Sequence, residues 1–138
     1  MRPLDPDWEL LLRQWIEKAD TDLEAATELL QHVSKRAAFR EIVGFHCQQC
    51  VEKYLKVLLT FYQVDFPKTH DIEKLLALIG GANPEVAGTL AGSRWLTPFG
   101  VEIRYPGDAA EMRPGEEVKA IELARLARTD VLRVLEEG

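Results

Sequence analysis

The residues best suited to chemistry lie in one short stretch. His46, Gln49, Glu52, Lys53, Lys56 and Thr60 fall within about 120° of arc when a helix turns 100° per residue. Two lysines and a glutamine on one helix face can hold a phosphate. The same stripe equally describes a solvated face of ordinary charge pairs. Three further polar residues stand where the period calls for apolar ones. Asp22 sits mid-way along the apolar face of the first helix, Gln48 lies between Leu55 and Leu59 on the second, and Arg128 falls within the apolar face of the last. A carboxylate in such a place is costly unless paired. A buried polar network is therefore expected, with Asp22 against an arginine. It is either a satisfied core or dimer-interface pair, or the lining of a cleft left open by the bundle.

Other candidates are weaker. Cys47 and Cys50 form a C-x-x-C pattern, but zinc needs four ligands and no second cysteine pair exists. Both fall on the apolar side and read as small buried hydrophobes. The histidines are His32, His46 and His70, and no Ser–His–Asp arrangement follows from their placement. His70 opens a helix beside Thr69, a position more typical of surface structure than of a catalyst. No carboxylates have metal-binding spacing, and no cofactor is implied.

The elements that must position these residues read as helices. Pro3 and Pro6 mark an irregular lead-in with Asp7 as N-cap, and helical periodicity runs from Trp8 to about Val33. A second helix is expected over about Ala38–Tyr62. Gly44 lies inside it and allows either a close crossing or a kink. Thr69 caps a short helix, with Asp71 in its first turn and its end at Gly80-Gly81. A fourth, weaker helix spans about 84–96, opened by Pro84. Residues 97–115 have a loop composition, and a last helix covers about Glu116–Glu136. No strand pattern or internal repeat interrupts this order. The expected fold is all-α, a bundle of about five helices in a single domain over residues 1–138.

Composition agrees. The 138 residues are 46% hydrophobic and 29% charged, enough to bury one core. No apolar run approaches a membrane span, and MRPLDPDWELLLRQW has neither the apolar core nor the cleavage site of a signal peptide. A cytoplasmic protein with reduced cysteines is expected, with no membrane partner. The net charge of −6 opposes non-specific nucleic-acid binding. Charge is uneven, however: residues 1–34 hold eight acids and three bases, and residues 35–74 hold seven bases and five acids. An anion site should involve the middle of the chain.

Three segments, taken in order, carry a resemblance. They are Ala19-Asp-Thr-Asp-Leu-Glu-Ala-Ala26; Phe45-His-Cys-Gln-Gln-Cys-Val-Glu-Lys-Tyr-Leu-Lys56 followed by Lys68-Thr-His-Asp-Ile-Glu-Lys-Leu-Leu76; and Arg104-Tyr-Pro-Gly-Asp108 before the final helix. In order and spacing they resemble the HEPN family (higher-eukaryote-and-prokaryote nucleotide-binding domain) over nearly the whole chain. The resemblance implies a helical bundle that pairs as a homodimer. It also implies a minimal nucleotidyltransferase partner in a toxin–antitoxin pair, and likeness to the helical, substrate-binding domain of some antibiotic nucleotidyltransferases. On it, Arg104, Tyr105, Asp108, Gln49, Lys53, Lys56 and His70 are the candidate residues for contact with a nucleotide or RNA.

The ribonuclease branch of that family carries an arginine, then four to six residues, then a histidine. Arg104 matches the arginine, but positions 109, 110 and 111 are Ala, Ala and Glu, and no histidine follows His70. Arg40 and His46 satisfy the spacing in the wrong helix, pointing about 240° apart around it. RNA cleavage through the 2′-hydroxyl needs a proton-transfer group, so no catalytic residue is assigned. The expected function is a non-catalytic nucleotide-binding or partner subunit. The alternatives are a ribonuclease toxin with a degenerate motif and a purely structural interaction domain.

Overall fold

A computed structural model describes residues 6–100, 105–106 and 111–138. Among them every regular element is helical: α1 (Pro6–Leu30), α2 (Phe39–Phe61), α3 (Ile72–Ala82), α4 (Pro84–Thr89), a 3-10 helix (Ala91–Phe99) and α5 (Glu116–Glu137). No helix among them is long and apolar enough to cross a membrane.

The sequence explains most boundaries. Pro6 sits in the first turn of α1, where a missing N–H costs nothing, and Asp7 and Glu9 complement the helix dipole. α1 ends at Leu30, short of the expected Val33. Residues 31–33 continue as tighter turns, with the Val33 N–H donating to the Leu30 carbonyl at 3.4 Å. Asp71, not Thr69, is the N-cap of α3: its Oδ1 accepts from the Glu73 N–H at 3.0 Å, while Thr69 Oγ1 accepts from the Asp71 N–H. α3 runs through Gly80-Gly81 to Ala82. The sharper stop is Asn83-Pro84, where Asn83 Oδ1 accepts from the Val86 N–H and starts α4.

The expected helix over 84–96 is two elements. α4 closes at Thr89, and a 3-10 helix reaches Phe99, past the expected start of the loop. Leu90, Ser93, Leu96 and Phe99 are all buried. Their spacing of three matches the three residues per turn of a 3-10 helix, so one edge meets the core throughout.

α2 is the central helix, packed against α1, α5, α3 and the 3-10 segment. Trp15 lies by Lys56, whereas Asp22 reaches His46 and Lys53, so α1 runs antiparallel to α2. Arg40 meets Glu117 near the start of both helices at 2.6 Å, and Gly138 meets Phe61 at their ends. α2 and α5 are therefore parallel, and the long connection between them carries α3, α4 and the 3-10 helix. Gly44 serves a close approach: a Cβ there would lie 2.5 Å from Met112 Cε, and α2 continues through it. Cys47 and Cys50 are fully buried and free. Burial raises both thiols, Cys47 to about 12, which makes them inert packing groups.

Candidate functional site

Half of the polar stripe of α2 is buried, and the other half (His46, Gln49, Lys53) is half-buried. Glu52 is 2% exposed, Lys56 7% and Thr60 1%, because α1 lies over one edge of the stripe and the α2–α3 connection over the other. The buried charges close on each other in two groups.

The first group joins α1 to α2. Asp22 Oδ1 lies 2.9 Å from His46 Nδ1, and Lys53 Nζ donates to Asp22 Oδ2. Burial alone would raise the Asp22 carboxyl. The hydrogen bonds and charges of His46 and Lys53 outweigh it and hold the group below its ordinary value. The expected arginine partner of Asp22 is thus a lysine and an imidazole. An open cleft of about 510 Å³ borders this pair, lined by Gln14, Lys18, Thr21, Asp22 and Lys53 among others.

The second group joins α2 to the connection before α3. Glu52 Oε2 accepts from Lys56 Nζ at 3.1 Å, and Glu52 Oε1 lies 2.9 Å from His70 Nδ1. Gln48, fully buried, donates its Nε2 to the His70 carbonyl at 3.3 Å and to Glu52 Oε1 at 3.4 Å, and its Oε1 accepts from Gln49 at 2.8 Å. Lys56 also lies over the Trp15 ring, 5.4 Å from its centroid. The backbone of Gly100 is pressed on the Gln48 amide, where a Cβ would sit 2.6 Å from Gln48 Cδ.

Arg128 is a correction. Expected within the apolar face of α5, it is exposed, its side chain 45% accessible, with Nε 3.0 Å from Asp20 Oδ1. Asp20 also accepts from the Tyr54 hydroxyl, so α1, α2 and α5 are tied through one carboxylate. Its own hydrogen bond to Asp20 raises Arg128 above its ordinary value; burial first, and then Asp20, raises Tyr54. The phase of α5 is set by Ala120, Ala124 and Ala127, which let it approach α2 closely. Arg128 stands only about 40° from Ala124, on the edge of that seam toward α1, and its long side chain reaches out from there to Asp20 and solvent. The buried polar residues of α5 are Glu117, paired with Arg40, and Asp130, paired with Arg133. Ala127 is fully buried, and Leu123 and Val134 pack against the core.

The structure brings together Gln48, Gln49, Lys56 and His70 around Glu52, and places Asp22 and Lys53 in the neighbouring group. Tyr105 is exposed; Arg104 and Asp108 lie outside the described residues. Arg40 and His46 do not converge, since each is held by a different acid, Glu117 and Asp22. Glu52, the hub of the second group, was legible only as one member of the stripe, with Lys56 four residues on. Among the described residues no group of three or more His, Cys, Asp or Glu could hold a metal ion.

The chain matches the HEPN domain family over residues 12–136. It belongs to that family. No curated protein and no solved structure shows significant similarity to it. The match takes in the five α-helices of the described residues, from the second turn of α1 to Glu136 in the last turn of α5, and so includes both buried polar groups of this HEPN domain.

Proposed function

We propose that this HEPN protein is a non-catalytic, cytoplasmic subunit that pairs with itself and with a minimal nucleotidyltransferase in a toxin–antitoxin unit, and contacts a nucleotide. The observation that carries this reading is the incomplete ribonuclease motif. Arg104 stands where that branch of the family has its arginine, and no histidine follows it. The buried ion pairs favour a binding role as well. Asp22 and Glu52 neutralise Lys53 and Lys56, so the middle of the bundle is a charge-balanced scaffold rather than an exposed reactive cluster. Leu10, Leu11, Ile42, Val118 and Leu126 remain exposed and give self-association apolar area to cover.

Co-expression with the neighbouring reading frame tests it. A complex with a small nucleotidyltransferase, two copies of this chain within it by light scattering, is the expected result. A monomer that elutes apart from such a neighbour would defeat it.

A second reading, an RNA-cleaving enzyme with a nonstandard proton-transfer group, is favoured by one feature. His46 and His70 are each oriented through Nδ1 by a buried carboxylate, an arrangement that acid–base catalysis uses. Cleavage lost on replacing either histidine would favour it.

A further inference from the structure

The lysines of the α2 stripe are poor anchors for an anion, because Asp22 and Glu52 already neutralise them. Two cations without such a neutralising acid stand at the corner before and within the first turns of α3. Lys68 and Lys74 are exposed, and among the described residues neither has an ion-pair partner. Between them in the chain is His70, whose side chain is 78% accessible while the Glu52 carboxylate behind it is 3% accessible. Gln48 fixes the backbone of the same residue by donating to its carbonyl.

This geometry sets the chemistry of the ring. With Nδ1 committed to Glu52, Nε2 is the nitrogen turned to solvent. A protonated His70 donates at both nitrogens: Nδ1–H to the buried carboxylate and Nε2–H outward. A phosphate oxygen accepting that second proton completes a chain of carboxylate, imidazolium and phosphate, in which both anions stabilise the ring cation. The charges around the ring permit it. Glu52 is balanced by Lys56 on α2, Glu73 is engaged by Arg94 of the 3-10 helix at 3.6 Å, and Asp71 spends an oxygen capping α3. Of the acids between residues 65 and 74 that leaves Asp65 and Asp71, set against Lys68, Lys74 and the His70 cation.

We infer that His70, backed by Glu52 and flanked by Lys68 and Lys74, is a phosphate-binding corner that takes the terminal phosphates of a nucleotide together with a proton. This rests on the nucleotide-contacting part of the proposed function and names its site. The partner and dimer parts do not depend on it.

Calorimetry with inorganic pyrophosphate and with ATP, in two buffers of different ionisation enthalpy slightly above neutral pH, tests it. Both probes should bind with uptake of up to one proton, and imidazole resonances of His70 should move. His70→Gln should lower affinity about tenfold and abolish the proton uptake. Lys68→Ala with Lys74→Ala should weaken binding and leave the uptake in place. Glu52→Gln is the riskier variant, because it strands Lys56, so the surface variants decide. No binding by the folded protein, or binding without proton uptake that His70→Gln leaves unchanged, overturns the inference. Retention of the nucleotidyltransferase complex by His70→Gln separates that failure from failure of the proposed function.

Discussion

Asp22 of α1 accepts a hydrogen bond from Lys53 of α2, and this pair, with His46 beside it, fastens the two longest helices across a buried seam. Removing one partner should hurt more than removing both. Asp22→Ala should cost about 1–3 kcal/mol, because it strands the Lys53 ammonium and the His46 ring in a partly buried place. Asp22→Leu combined with Lys53→Met should cost less than the sum of the single changes. A chemical-denaturation cycle measures this. Strict additivity would show that the two side chains do not act as a pair.

The same carboxylate sets an acid limit to stability. Its folded value lies below the ordinary 3.8, so the unfolded chain takes the proton first as pH falls. The Asp22 contribution is therefore complete above that ordinary value and is lost as pH drops through the folded one. Asp22→Asn should be less stable than wild type at neutral pH and show a flatter decline in acid. Thermal melts from neutral pH into acid would read the difference. Parallel curves for the two proteins would place the acid limit in other groups.

Two glycines should answer a methyl group in opposite ways. At Gly44 the obstacle is the mobile end of Met112, and alanine recovers about 1 kcal/mol of helix propensity, so Gly44→Ala should change stability little. At Gly100 the obstacle is the amide of Gln48, fully buried and bonded to Glu52 and the His70 carbonyl. That amide has nowhere to go. Gly100→Ala should destabilise by about 1–3 kcal/mol and loosen His70, seen as faster amide exchange around residues 69–71. A stable Gly100→Ala protein with unchanged exchange would mean that Gln48 has room to move.

The purified protein should not cleave mixed-sequence RNA, with or without a divalent cation. Arg104 can stabilise a phosphorane but does not shuttle protons near neutral pH. Acid–base catalysis is worth about 10²–10⁴-fold, and the family's histidine is missing from its place. Arg104→Ala serves as the control in a gel assay. Robust cleavage by wild type that disappears in the variant would make the protein an enzyme.

The sequence by itself determined the helices, their order and the family. Helical periodicity bounded α2 and α5 to within a residue or so, because each is amphipathic. Three ordered motifs sufficed for HEPN membership. It also marked Asp22 and Gln48 as polar residues on apolar faces, since period alone reveals that conflict. Tertiary structure decided everything that depends on what lies opposite. Whether the α2 stripe met water or another helix turned on where α1 docks. The partner of Asp22 turned on antiparallel register, which placed Lys53 and His46 against it and sent Arg128 to Asp20. The 3-10 helix was hidden because its period of three differs from an α-helical face by only a fraction of a residue per turn, and contact with the core makes the choice. Periodicity is a property of one helix; pairing and burial are properties of two.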